Sequence, residues 1–80
     1  MSELKEFEGR KYEILFGTDV QNDSVYLELS DRTSEPYEVI AKATHYDEVG
    51  KVVFDCHKEE IPMQLIKWFM GEIEKENWPI

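Results

Sequence analysis

The chain predicts an α+β fold: a four-stranded antiparallel meander packed on one face by a C-terminal amphipathic helix. Three observations carry this. Between Arg10 and His57, apolar residues recur at every second position in four separate runs. The connections between those runs are short and polar, which favours antiparallel neighbours. After Pro62 the apolar period changes from two to that of a helix. A sheet with one apolar face and one amphipathic helix can bury those surfaces against each other in two layers.

The elements follow in order. Residues 2–9 are polar apart from Leu4 and Phe7. They are expected either to fray or to form one helical turn capped by Ser2. From Arg10 to Gly17, Tyr12, Ile14 and Phe16 alternate with Lys11, Glu13 and Leu15. From Ser24 to Ser30, Val25, Leu27 and Leu29 alternate with Tyr26 and Glu28. Pro36 disfavours helix at Glu35 and closes a polar connection. Tyr37 to Thr44 is the third strand, with Ile40 expected opposite Ala41 and Ala43. Asp47-Glu48-Val49-Gly50 reads as a tight turn in which Gly50 can take positive φ. Lys51 to His57 is the fourth strand, with Cys56 on the face of Val52 and Phe54. The helix is expected over 62–77. Leu65, Ile66, Phe69, Met70 and Ile73 form its stripe, Pro62 suits its first position, and Pro79 blocks extension. Trp78 and Ile80 are expected to fold back on the sheet.

With 80 residues the chain supports a single domain over 1–80, divided into the 2–9 segment, the 10–57 sheet and the helix. Its net charge is −9 at pH 7. Such acidity repels phosphate backbones and anionic membranes, so neither direct nucleic-acid binding nor membrane attachment is expected. Cys56 is the only cysteine, which excludes an intrachain disulfide. The first residues lack the apolar run of a secretory leader, and no stretch has the length of a membrane span. A cytoplasmic location is the expectation.

Few residues could carry catalysis. Cys56, His57 and His45 lack zinc-ligand spacing, and neighbours on a strand point to opposite faces. Cys56 is expected to be a small core residue. The carboxylates of the turn and the helix ends face water, and there is neither a calcium-loop spacing nor a glycine-rich phosphate loop. No catalytic residue, metal or cofactor is expected.

Binding is better supported. Glu72, Glu74 and Glu76 crowd the last turns of the helix, where the helix dipole is already negative. Such a run is either a solubilising face or a surface for a basic partner. Trp68 lies off the core stripe; it either folds over the sheet edge or meets the N-terminal segment around Leu4 and Phe7, or it is exposed as an interface anchor. Tyr26 and Ile40 are expected on the sheet face that one helix cannot cover. That face, or an edge strand, offers a route to self-association as a homodimer. The resulting expectation is a non-catalytic acidic protein-binding module of the kind exemplified by small inhibitors, immunity proteins and antitoxins. Trp68, Glu72, Glu74, Glu76, Tyr26 and Ile40 are its candidate contacts. The alternatives are a nucleic-acid mimic that blocks a DNA-binding protein, and a small enzyme using Cys56 and His45.

Overall fold

In the computed structural model, which describes residues 2–78, the chain forms five strands and one helix. They are β1 (Ser2–Phe7), β2 (Arg10–Asp19), β3 (Ser24–Asp31), β4 (Glu38–Tyr46), β5 (Lys51–Cys56) and α1 (Met63–Lys75). The strands pair antiparallel in sequence order, β1-β2-β3-β4-β5, with both ends of the sheet open. The α+β class and the meander therefore stand, with one strand more than expected. The expected packing of Ile80 lies outside the described residues.

The extra strand is β1, which replaces the expected helical turn or frayed end. Glu8 (φ 51°) and Gly9 (φ 78°) both take positive φ between the paired residues Phe7 and Arg10. Two consecutive positive φ values make the two-residue turn whose twist matches that of a hairpin. With that turn set, main-chain bonds to β2 hold a segment whose side chains are too charged to show an apolar period. Phe7 reaches the core.

One face of the sheet carries Tyr12 and Ile14 from β2, Leu27 and Leu29 from β3, and Ala41 and Ala43 from β4. Leu65, Phe69 and Ile73 of α1 close this core, and the Phe69 ring meets the Phe54 ring at 5.9 Å. The helix starts one residue later than expected, because Pro62 is its cap residue. The Pro62 carbonyl accepts from the N–H groups of Leu65 and Ile66. At the other end Asn77 has φ 57°, the left-handed geometry that terminates helices.

Two expected positions are corrected. Ile40 is 3 % exposed and belongs to the core rather than to the open face. The β3–β4 register shifts between Leu29 and Ser30, which face Ala41 and Val39, and leaves Ile40 as an extra residue. Such a bulge breaks strict alternation, and the consecutive residues Ile40 and Ala41 are both buried. Cys56 is exposed rather than a core residue. It is the last residue of β5, an edge strand of the sheet.

The face away from the helix covers itself. Gly17, Tyr26, Thr44 and Val53 form one cross-strand row; Leu15, Glu28, Lys42 and Asp55 form the next. The Tyr26 ring lies on the Gly17 backbone, where a Cβ would overlap it. The Lys42 ammonium sits 4.3 Å from the ring centroid. Gly17→Ala is therefore expected to cost about 1–3 kcal/mol through overpacking. In a Tyr26→Ala background the same change should be neutral or stabilising, because strand glycine is itself unfavourable. Urea unfolding of the four proteins measures this, and an equal cost in both backgrounds would refute the stacking account.

Candidate functional site

The candidate residues do not gather on one surface. Ile40 is inside the core, and Tyr26 lies on the far face, occupied by Gly17 and Lys42. Trp68 is half-buried against the core, with the Lys5 ammonium 5.6 Å from its ring. Glu72, one helical turn on, accepts from Lys75 Nζ at 2.8 Å. That contact raises the Lys75 pKa above its ordinary value, first through the hydrogen bond and then through the charge of Glu72. Trp68 and Glu72 thus line the seam between α1 and β1, and each is already engaged. Glu74 and Glu76 are exposed.

Topology brings other carboxylates to the exposed glutamates. In a meander, every second connection lies at the same end of the sheet. The β2–β3 and β4–β5 connections share an end, and the Asp47 N–H donates to the Asp23 carbonyl at 3.0 Å. The helix runs back to that same end. His45, next to last in β4, stacks on Trp78 with ring centroids 5.8 Å apart. Asp19, Asp23, Asp47, Glu48, Glu74 and Glu76 therefore converge on one pole of the molecule, where the negative end of the helix dipole also lies. Cations also lie here: Lys51 at the start of β5, Lys75 in the last turn of α1, and Lys42, whose charge reaches Asp19.

Within this pole several groups are fixed. The Asn22 amide donates to Asp19 at 2.7 Å and is the main reason the Asp19 carboxyl sits below its ordinary pKa. His45 Nδ1 lies 3.1 Å from Asp47 Oδ1, while its buried Nε2 has no hydrogen-bond partner among the described residues. The loop tips are apolar: Val20 is 84 % exposed and Val49 70 %.

The opposite end differs. There Arg10 Nε donates to Asp31 Oδ2 at 2.8 Å, Arg32 pairs with Glu13 at 3.4 Å, and the Arg32 guanidinium stacks over Tyr37 at 4.1 Å. Lys58 pairs with Glu38 at 3.1 Å. Several charges at this end are paired in place, while Glu8, Glu35, Glu59 and Glu60 are exposed and enter no ion pair among the described residues.

Cys56 and His45 share a sheet face but not a site. Cys56 pairs with Ala41, four residues along β4 from His45 and so roughly 13 Å away. Among the described residues, no three His, Cys, Asp or Glu side chains gather at metal-binding range. A shallow depression of about 330 Å³ lies elsewhere, against the β1–β2 hairpin, lined by Leu4, Lys5, Glu6, Lys11 and Tyr12. No described helix is long and apolar enough to cross a membrane. No protein-family model, no curated protein and no solved structure matches the chain.

Proposed function

We propose that the protein is a non-catalytic binding module whose carboxylate-rich pole docks a basic partner protein. The single observation behind this reading is the convergence of two hairpin loops and the helix C-terminus into one acidic surface with exposed valine tips. Like charges brought together repel, and carboxylates at a helix C-terminus are individually unfavourable. A basic partner relieves both costs. Opposite charge also speeds encounter and selects among partners. Small acidic inhibitors, immunity proteins and antitoxins work by this principle, and here the comparison is one of charge and size alone.

The reading is tested by affinity capture with the tagged protein at about 0.1 M and about 0.5 M salt, where screening lengths differ by roughly twofold. A basic protein retained at low salt and released at high salt, identified by mass spectrometry, is the expected result. Recovery of the bait alone at both salts would count against the proposal. Displacement of the captured protein by DNA would turn the reading to mimicry of nucleic acid.

A further inference from the structure

The two open edges of the sheet are not equivalent. On β1 three of the six residues, Glu3, Lys5 and Glu6, are charged, and Lys5 is turned over Trp68. Charged residues are the usual protection of an edge strand. On β5 the sequence is Lys51-Val52-Val53-Phe54-Asp55-Cys56, and Phe54 is 38 % exposed. This is a short, apolar edge with one charge near each end.

The backbone phase of β5 is set by the His57 N–H, which donates to the Ile40 carbonyl at 2.7 Å. Antiparallel strands alternate between residues bonded inward and residues bonded outward. Odd-numbered residues of β5 therefore bond to β4, while Val52, Phe54 and Cys56 present N–H and C=O groups outward. Lys51, Val53 and Asp55 point to the open face, and Val52 and Phe54 to the helix face.

We propose that β5 pairs antiparallel with β5 of a second copy, about a two-fold axis through Val53, to form a continuous ten-stranded sheet. This register joins outward-bonding residues, Val52 to Phe54 and Phe54 to Val52. On the open face it sets Val53 against Val53 and places each Lys51 opposite the Asp55 of the other copy. Neither Lys51 nor Asp55 has an ion-pair partner among the described residues. Shifting by two residues in either direction keeps the hydrogen-bonding phase but separates these charges. Opposite charges directly across a strand pair stabilise it, and like charges destabilise it. The antiparallel arrangement also sends the two carboxylate-rich poles to opposite ends of the dimer. At 0.15 M salt the screening length is about 8 Å, so repulsion between those poles is weak. This inference concerns the β5 edge, which meets the pole at Lys51, and does not depend on the role proposed for the pole.

The test is sedimentation velocity at physiological salt on the wild type, Lys51→Asp, Asp55→Lys and the double exchange, with circular dichroism as the folding control. The wild type is expected to dimerise. Each single variant faces like charges across both pairs and should weaken the dimer at least about tenfold, and the double exchange should restore it. In a Cys56→Ser background, Val53→Cys should form a disulfide between copies in oxidised glutathione, because paired Cα atoms there lie about 4.5 Å apart. Leu4→Cys in the same background should not. A wild type that stays monomeric, a dimer indifferent to the exchanges, or cross-linking at Leu4 rather than Val53 would overturn the proposal.

Discussion

Phe69→Ala is expected to destabilise the fold by about 3–5 kcal/mol, the range for deleting a large buried aromatic side chain. Phe69 is completely inaccessible to solvent and sits between Leu65 and Ile73 in the one stripe that joins the helix to the sheet. Its ring also contacts Phe54 of the edge strand, so its loss uncouples α1 from β5. A domain of this size has a total stability of about 4–12 kcal/mol. At the lower end of that range the variant would lie near its midpoint, and at the upper end it would stay folded with a much lower urea midpoint. Met70, the next residue, is half-exposed, and Met70→Ala should cost less than about 1 kcal/mol. Urea midpoints of the two variants distinguish a packed helix from a loosely attached one. A loss below about 1 kcal/mol for Phe69→Ala would mean that the helix does not close the core as described.

Asp31→Ala should cost about 1–3 kcal/mol, the value for orphaning hydrogen-bonded groups at a buried position. The Asp31 carboxylate accepts from Arg10 Nε on one oxygen and from the Thr33 N–H, at 2.9 Å, on the other. The Thr33 hydroxyl oxygen in turn accepts from the Lys11 N–H at 2.9 Å, and the Arg32 N–H donates to the Lys11 carbonyl at 2.7 Å. One carboxylate thus ties the end of β3, the following loop and β2 together. Burial by itself pushes its pKa up. The hydrogen bonds from Thr33 and Arg10, with the Arg10 charge, outweigh burial and hold it below the usual carboxylate range. A folded-state pKa below the unfolded one makes this stabilisation complete above the unfolded pKa. It is lost as pH falls through the folded value. The stability gap between wild type and Asp31→Asn should accordingly be constant well above the ordinary carboxylate pKa and close as the pH falls below it. A gap that persists undiminished at the acid end would show that the charge of Asp31 contributes nothing.

Much of this architecture is readable from residue order, and the exceptions have physical causes. The helix was legible because Leu65, Phe69 and Ile73 recur at a spacing that no strand uses. Strands β2 to β5 are legible because each alternates apolar and polar residues. β1 was hidden because charges occupy the positions where an apolar period would show, and its turn, Glu8-Gly9, is a weaker signal than Asn-Gly. The burial of Ile40 is not legible because it depends on a bulge that only pairing with β3 creates. The exposure of Cys56 is not legible because periodicity assigns a face but not a place at the edge of the sheet.

The acidic pole was half legible. Glu72, Glu74 and Glu76 stand out as a run, yet Glu72 is neutralised locally by Lys75. The larger contribution comes from Asp19, Asp23, Asp47 and Glu48, which are unremarkable in their own segments. Their convergence follows from the meander itself, since alternate hairpin loops share an end. The chain places the first and last of these pole carboxylates, Asp19 and Glu76, more than fifty positions apart.

The most direct measurement compares two charge-matched variants as baits for the same captured partner. One carries Asp47→Lys and Glu48→Lys at the carboxylate-rich pole. The other carries Glu35→Lys and Glu59→Lys at the opposite end. Both change net charge equally, and all four positions are exposed. Binding lost in the first variant and kept in the second, with melting temperatures alike, is the result predicted here. Equal loss in both would show that total charge, rather than the pole, governs recognition, and undiminished binding by the first would remove the pole from the interface.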